Sequence, residues 1–337
     1  MKSKLKRLLK WELFLFVFLI GELLFFSMLT PGFLNLQNLL FSMNDFAYIG
    51  LAAIPMTFVI ITGGIDVSVG SIMGLSSITI GVLWMGGLNV WIALIIALFI
   101  CALAGLLNGL IVAFTDVQPL VVTLGTMFLF AGIALVISGG SSATGYEGIS
   151  GFPNSFVQIA NGITFGLPNS MWLMLFILLF FGGLLHLTKY GRNVYLVGIN
   201  SKAAKYSGIA TKWIVLSTYI LAGLGGGISG AILTSYFSSA RSDLGTQAIL
   251  PVITAVVLGG TSILGGRGTV LGTAIASIVV GMMNYGLQLS GMPSEQTTIV
   301  VGVMLIVAVL MRQIDLSYVK KLFYKKKVPR TKMVIKI

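Results

Sequence analysis

Residues able to do acid–base, nucleophilic or metal chemistry are few in this chain. Of its 337 residues, nine are Asp or Glu, one is histidine and one is cysteine. So few groups do not assemble into a metal site or a nucleophile–histidine–acid triad. The sequence also lacks the G-x-x-x-x-G-K-[ST] loop that cradles nucleotide phosphates. We therefore expect no enzyme activity, no metal and no cofactor, and any ATP-driven work must be done by a partner chain.

Two glycine-rich turns, TGGIDVS and LGGTSILGG, interrupt the apolar sequence. Paired glycines permit backbone angles that other residues resist, and Asp66 or Ser68 can cap the helix that follows the first turn. In both turns a third glycine comes seven residues after the first. We interpret both as turns at cytoplasmic helix ends. Their residues are Gly63, Gly64, Asp66, Ser68, Gly259, Gly260 and Gly266.

The composition explains why polar residues are confined to such turns. The chain is 57% hydrophobic and 9% charged, with a mean hydropathy of +1.02. These values lie outside the range of soluble globular proteins. We predict an all-α polytopic integral membrane protein, because helices satisfy their own backbone hydrogen bonds in lipid.

Ten apolar runs are long enough for helices that cross about 30 Å of hydrocarbon. Each has roughly 18 or more residues. Their approximate limits are 12–30, 46–63, 69–86, 90–113, 120–138, 170–188, 213–234, 249–264, 268–288 and 297–312. Three glycine pairs within these runs have the four-residue spacing of closely packed membrane helices, namely Gly105/Gly109, Gly223/Gly227 and Gly226/Gly230.

The distribution of the 21 basic residues predicts the orientation. They concentrate in the N-terminal segment 1–11, the loop 189–212 and the C-terminal tail 313–337, which flank the membrane domain 12–312. Because cytoplasmic loops are enriched in Lys and Arg, we predict that both termini are cytoplasmic. Arg241 is then the only basic residue outside. We interpret the basic tail as a topology anchor that contacts membrane lipid, not as a nucleic-acid site.

The long segment 139–169 is predicted to be external and to contain one short helix. On the other side, the loop 189–212 has Asn200 and Ser201 as N-cap candidates and Gly208 as a C-cap candidate. We predict a short helix there, on the cytoplasmic surface. A short helix outside the membrane needs contact with a partner surface to be stably ordered.

Ionisable residues are nearly absent from the predicted spans. Only Glu22 is clearly mid-span, whereas ion-coupled transporters usually contain several intramembrane charges. Energy coupling by another subunit is therefore favoured. Asn108, Thr254 and Asn284 lie deeper in spans and are candidate residues of a translocation path, although burial against protein explains them as well.

Four stretches make the chain resemble a known family. TGGIDVSVGS, LVVTLGT, GRNVYLVGIN with AAKYSGI, and AVVLGGTSILGGRGTVLGT resemble the permeases of bacterial ATP-binding-cassette sugar importers of the ribose type. The resemblance covers roughly residues 12–312 in the right order. Three further stretches, LLFSMNDFAYIGLAAIPMT, ATGYEGISGFP and SYFSSARSDLG, look like the autoinducer-2 branch of this family. The imported solute would then be autoinducer-2, a small sugar-like furanosyl signal.

The resemblance implies several partners in the bacterial cytoplasmic (inner) membrane. They are a second, C-type permease chain in a heterodimer, a cytoplasmic ATPase that hydrolyses the ATP, and an extracytoplasmic substrate-binding protein. The coupling segment of the family, which docks onto the ATPase, corresponds to the basic loop 189–212. The matching positions are Gly191, Arg192, Gly198, Asn200, Ala203, Ala204 and Gly208.

Three alternatives remain open at this point. In the first, the chain is a permease for ribose or another monosaccharide, since the family motifs do not specify a ligand. It is an ATP-independent channel or facilitator in the second. In the third it is a structural partner that dimerises with an active permease and contributes little to the path.

Overall fold

Helices make up almost the whole of the fold. The computed structural model describes residues 2–139 and 148–313. In this part of the chain the helices are α1 Lys2–Leu29, α2 Leu36–Ile61, α3 Val69–Met85, α4 Val90–Phe114, α5 Pro119–Ile137, α6 Asn154–Asn161, α7 Asn169–Leu187, α8 Lys189–Ile199, α9 Ser201–Tyr206, α10 Thr211–Phe237, α11 Ile249–Leu258, α12 Val270–Leu289 and α13 Ser294–Gln313. The strands β1 Ile163–Thr164 and β2 Leu167–Pro168 form a small antiparallel hairpin.

Each of the ten predicted apolar runs coincides with one helix. Seven helices, α1, α2, α4, α5, α7, α10 and α12, are long and apolar enough to cross a membrane. Three shorter apolar segments lie in α3, α11 and α13. The all-α polytopic membrane fold is thus confirmed, whereas the number of spans and the side of the termini stay predictions.

Two helices differ in length from the runs that predicted them. α2 begins at Leu36, ten residues before the run 46–63, because the Asn35 side chain caps it by accepting from the backbone N–H of Gln37 and Asn38. α11 ends at Leu258 instead of residue 264. Its ten residues span about 15 Å, which is half of the hydrocarbon thickness.

Helix α10 is the centre of the bundle, and its glycines allow three neighbours to approach closely. A Cβ at Gly227 would lie 2.8 Å from Cys101 Cβ of α4, and one at Gly225 would lie 2.7 Å from Pro55 Cγ of α2. A Cβ at Gly226 would lie 3.1 Å from Ile72 of α3. Small residues thus let α10 pack against α2, α3 and α4 in regions without water.

The segment 239–248, which connects α10 to α11, packs along α3. A Cβ at Gly81 would lie 2.6 Å from Ala240 Cβ, and one at Gly74 would collide with the Ser242 carbonyl oxygen. A Cβ at Gly70, in the first turn of α3, would lie 2.7 Å from Ile249 Cγ1. The connection therefore descends along most of α3.

The predicted external segment 139–169 holds α6 and the hairpin, while residues 140–147 lie outside the described part. α6 is anchored to the end of α10, because the Ala160 N–H donates to Ser235 Oγ at 3.0 Å. The Asn161 side chain donates to the Ser235 carbonyl oxygen at 3.0 Å. The C-terminal tail, predicted as a basic anchor, lies outside the described residues from 314 onward.

Candidate functional site

Two helices, not one, form the loop 189–212. Thr188 Oγ1 accepts from the Gly191 N–H at 3.2 Å at the start of α8, and Asn200 Oδ1 accepts from the Ala203 N–H at 3.0 Å at the start of α9. The predicted short helix is α9. α8 was missed, although its capping threonine and the three-residue spacing of the buried Val194 and Val197 are signals of a helix.

Helix α8 is fixed to the bundle by close packing and by two phenol hydroxyls. A Cβ at Gly191 would collide with the Leu185 carbonyl group of α7. Tyr190 Oη lies 2.8 Å from Ser217 Oγ of α10. Tyr195 Oη donates to the Gly268 carbonyl oxygen, just before α12, at 2.6 Å. Any displacement of α8 is therefore transmitted to α7, α10 and α12.

The two glycine-rich turns meet beneath α8. The Gly266 N–H donates to the Ile61 carbonyl oxygen at the end of α2, at 2.8 Å. A Cβ at Gly198 of α8 would collide with that same oxygen and would lie 2.6 Å from Gly266 N. Gly63 and Gly266 adopt φ of 85° and 73°, which favours glycine. The sequence predicted both turns at one end of the bundle, and the structure brings them into contact.

The remaining residues of the two turns pack against α10 and α12. A Cβ at Gly64 would lie 2.6 Å from the Tyr219 hydroxyl of α10. A Cβ at Gly259 would lie 2.5 Å from Thr273 Cα of α12. Gly260, with a φ of 103°, takes the backbone out of α11. Glycine is thus required at these positions by contact or by conformation.

Asp66 ties its turn to a neighbouring helix. Its Oδ1 accepts from the N–H of Ser68 at 2.9 Å and from the hydroxyl at 2.6 Å, and Asn108 Nδ2 of α4 donates to Ser68 Oγ at 2.8 Å. Ser68 occupies the N-cap position of α3, but its side chain makes no capping bond. The carboxyl is fully buried, and this burial raises the pKa of Asp66. Asp66 therefore joins the turn to α4 instead of capping the first amides within α3.

The outer surface of α8 and α9 is apolar at its centre. Leu196, Ile199 and Tyr206 are exposed, the last at 92%, and Leu264 of the adjacent turn is exposed at 86%. Clusters of exposed apolar side chains are typical of protein–protein contact surfaces. Leu196, Ile199, Tyr206 and Leu264 thus form an exposed apolar surface on α8, α9 and the adjacent turn.

The seven positions that matched the coupling segment of the family divide into two groups. Gly191, Gly198 and the buried Ala204 face the bundle. Arg192, Asn200, Ala203 and Gly208 are exposed. Whether they contact an ATPase stays a prediction.

The opposite end of the bundle contains a cavity of about 530 Å³. α2, α10, the segment 239–248, α11, α12 and α13 surround it. Its polar lining consists of Asp45, Tyr48, Tyr236, Arg241, Asp243, Thr246, Gln247, Asn284, Tyr285, Gln288, Thr297 and Thr298. The lining is therefore rich in groups that form hydrogen bonds with a polar solute.

The two acidic side chains of the cavity differ in their partners: within the described lining, one is paired with a basic side chain and the other is not. Among the described residues that line it, Arg241 is the one basic side chain, and it is paired with Asp243 by an Nε–Oδ1 hydrogen bond of 2.9 Å. This pairing raises the pKa of Arg241. Asp45 has no basic partner there and instead accepts from the Tyr236 hydroxyl of α10. The cavity thus carries an unneutralised carboxyl group.

Of the three candidate path residues, the structure places only Asn284 in this cavity. Asn108 is fully buried beside Ser68, and Thr254 is fully buried in α11. Those two stay predictions for a translocation path. Asp45 and Tyr236 were missed because each lies just outside a predicted span, where polar residues are common, and Tyr285 was missed although it lies beside Asn284. Within residues 2–139 and 148–313, no cluster of three His, Cys, Asp or Glu residues suited to a metal ion occurs.

The chain is similar to a known family, to several relatives and to a solved structure. The family described as "Branched-chain amino acid transport system / permease component" matches residues 38–309. The "Autoinducer 2 import system permease protein LsrD" of Salmonella typhimurium is 45% identical over 306 residues, which cover 91% of this chain and 92% of the relative. The protein of that name from Escherichia coli O9:H4 is 46% identical over 306 residues, with coverage of 91% and 93%. Among solved structures, "PsaBC from Streptococcus pneumoniae in complex with Fab" has a TM-score of 0.45 and 14% identity, and covers 86% of this chain and 95% of its own.

Proposed function

The chain belongs to the family of branched-chain amino acid transport system permease components, and we propose that it imports autoinducer-2 as the membrane-spanning permease subunit of an ATP-binding-cassette importer. The observation that carries the proposal is the 45% identity over 91% of the chain to an autoinducer-2 import permease. Like its relatives, the chain is a transport subunit rather than an enzyme. It is a multi-pass protein of the bacterial cytoplasmic (inner) membrane.

A permease of this kind works with an ATPase and a substrate-binding protein. We further infer that it pairs with a second, C-type permease chain. The distribution of basic residues supports an orientation in which α8 and α9 face the cytoplasm. The cavity then opens toward the outside, where a binding protein delivers the solute.

The two ends are mechanically connected through α2, α10 and α12. These helices line the cavity at one end. At the other end α8 contacts Ile61 of α2, Ser217 of α10 and Gly268 before α12. A rigid-body movement of α8 and α9, imposed by ATP-driven closure of the ATPase, would therefore change the shape of the cavity. In this proposal the chain supplies the translocation path and the helices that transmit the movement, and the ATPase supplies the energy of ATP hydrolysis.

Uptake in cells that lack this chain tests the substrate and the energy source. Autoinducer-2, ribose and xylose uptake are measured with and without an intact ATPase partner. The proposal expects loss of autoinducer-2 uptake alone, dependent on the ATPase. Loss of a pentose uptake instead would reassign the substrate within the family. Uptake that persists without ATP hydrolysis would contradict an importer and favour a facilitator.

Ala203→Asp tests the coupling role of α9. Ala203 is exposed, so a charge there should leave the fold intact while disturbing an apolar contact with the ATPase. We expect uptake and permease-stimulated ATP hydrolysis to fall about tenfold or more, as for a contact worth over 1.4 kcal/mol. Ala204→Asp is a poorer choice because Ala204 is 5% exposed and a buried charge destabilises the fold.

Gln118→Asp is the matched control for this charge. It lies at the same end of the bundle, is exposed, and occupies the N-cap of α5, where aspartate is favourable. Its uptake should equal that of the wild type. Unchanged transport in Ala203→Asp would rule out α9 as the coupling element.

A further inference from the structure

The cavity is adjacent to a second, smaller hollow, and three residues line both. A second hollow of about 330 Å³ lies beside the cavity of about 530 Å³. Asn38, Phe41, Ser42, Asn44 and Asn161 line only the second hollow, and Asp45, Tyr236 and Tyr285 line both. α2 begins at Leu36 at this end of the bundle. Four of the five residues that line only the second hollow lie within the first nine residues of α2, and the three shared residues lie where the two hollows meet.

The shared residues are held by tight contacts between α2 and α10. The Tyr236 hydroxyl donates to Asp45 and so bridges the two helices. Two turns earlier in α10, Ser229 Oγ donates to the Tyr48 carbonyl oxygen of α2 at 3.0 Å. Gly225 then allows contact with Pro55, since a Cβ there would lie 2.7 Å from Pro55 Cγ. These contacts set the distance between α2 and α10 at Asp45 and Tyr236 before any solute arrives, which reduces the entropic cost of binding.

The chemistry of the shared residues selects a class of solute. A carboxylate accepts hydrogen bonds from hydroxyl groups, and tyrosine hydroxyls donate and accept. The faces of Tyr236 and Tyr285 offer apolar surface to the C–H groups of a ring. The Asp45 carboxyl group offers no positive charge to an anion, and the one basic side chain of the described lining is already paired with Asp243. An amino acid carboxylate therefore finds no free cation among these groups, whereas a neutral hydroxyl-rich ring finds suitable partners.

We propose that Asp45, Tyr236 and Tyr285 form a solute-selecting site between the two hollows, which takes a small, neutral, polyhydroxylated molecule. This site deepens the proposed function and rests on it. It adds a selection step inside the membrane to the one made by the binding protein. Solute that fails to form hydrogen bonds with Asp45 and Tyr236 returns to the outside, although ATP has been hydrolysed.

The experiment measures solute delivered per ATP hydrolysed. The complete importer, with its ATPase, second permease and binding protein, is reconstituted in proteoliposomes with Asp45→Asn, Tyr236→Phe or Tyr285→Phe. Autoinducer-2 uptake and stimulated ATP hydrolysis are recorded together. We expect the ratio to fall about tenfold in Asp45→Asn and Tyr236→Phe, which alter the hydrogen bond between these two side chains, and about threefold in Tyr285→Phe. The control is Asp116→Asn in the exposed turn between α4 and α5, which should keep the wild-type ratio.

The outcomes separate the site from the function. Absence of autoinducer-2 uptake by the wild-type importer would refute the proposed function. Wild-type uptake with an unchanged ratio in all three variants would refute only the site. A joint fall of uptake and ATP hydrolysis at constant ratio would also refute the site, because the residues would then serve assembly.

A labelling experiment tests occupancy without transport. Cys101 is fully buried, so Asn284→Cys provides one reactive thiol in the cavity. Autoinducer-2 and ribose should slow its reaction with a water-soluble maleimide several-fold, and leucine should not. Asp45→Asn should abolish the protection. The site would be contradicted if neither autoinducer-2 nor ribose protected the thiol, or if leucine protected it equally well.

Discussion

The two ends of the bundle are held together by different means. At the α8–α9 end, Gly198, Ile61 and Gly266 meet through backbone atoms, with a hydrogen bond of 2.8 Å between the last two. At the cavity end, helices are connected by side chains that reach across open space, such as the Tyr236–Asp45 hydrogen bond. Backbone contacts leave no room for adjustment, whereas side chains can change rotamer.

This difference matches the two tasks of a permease. Under the proposed function, the α8–α9 end receives force from the ATPase, and rigid packing is favourable there because it transmits displacement without loss. The cavity end would receive solute and exchange hydrogen-bond partners, so polar side chains around a cavity are favourable there. The comparison predicts that single substitutions disturb stability most at the α8–α9 end.

The largest effect on stability is expected for Gly198→Ala. Its Cβ would collide with the Ile61 carbonyl oxygen and lie 2.6 Å from Gly266 N, and such overpacking costs about 1–3 kcal/mol or more. Thermal unfolding of the purified chain in detergent measures the loss. Gly182→Ala in α7 is the matched control, since a Cβ there has nothing within 4 Å, and it should gain about 0.5–1 kcal/mol from helix propensity. Equal melting temperatures of the two variants would contradict the rigid backbone packing inferred for the α8–α9 end.

An intermediate, pH-dependent effect is expected at Asp66. Because burial raises the folded-state pKa from 3.8, the folded protein favours the protonated carboxyl. The contribution of this group to stability is therefore fully present below its unfolded pKa and is lost as the pH rises through its folded pKa. Asp66→Asn removes the titration, so its stability relative to the wild type should increase as the pH rises from the unfolded pKa of 3.8 through the raised folded-state pKa.

The pH series is checked by melting curves, with Asp116→Asn in the exposed α4–α5 turn as the control. The control should follow the wild type at every pH. A difference between Asp66→Asn and the wild type that is constant with pH would mean that Asp66 ionises in the fold as readily as in the unfolded chain.

The smallest effect is expected for the Arg241–Asp243 pair at the cavity end. The side chains are 43% and 30% exposed, so solvent screens their attraction. A double-mutant cycle with Arg241→Ala and Asp243→Ala should give a coupling energy of about 0.2–1 kcal/mol for unfolding. A coupling above about 2 kcal/mol would show that the cavity end also depends on a rigid, desolvated contact.

Most helices could be predicted from sequence, because apolar runs and capping residues act locally. Asn200 begins α9 as expected from its residue type, and glycine pairs predicted closely packed faces on α4 and α10, which the structure places against each other. The turn around Asp66 was placed correctly between two helices, but its hydrogen bond to Ser68 and the contact of Ser68 with Asn108 were not predicted. That contact joins residues 40 positions apart, which spacing alone does not reveal.

The cavity could not be predicted for the same reason. Asp45 and Tyr236 are 191 positions apart in the chain, and each looks ordinary in its local context. The segment 239–248 reads as an external loop, since its Ser, Arg, Asp and Gly residues are typical of loops. Its packing against α3 depends on glycines at 70, 74 and 81, which lie in another helix.

The sequence by itself determined the class of protein, the approximate positions of its long apolar helices and the basic character of one end, because composition, apolar length and charge are local quantities. The tertiary structure alone decided which glycines touch, where the segment 239–248 runs and which polar side chains share a cavity. Those properties arise when distant segments compete for the same space, and helix packing in a dry interior resolves that competition.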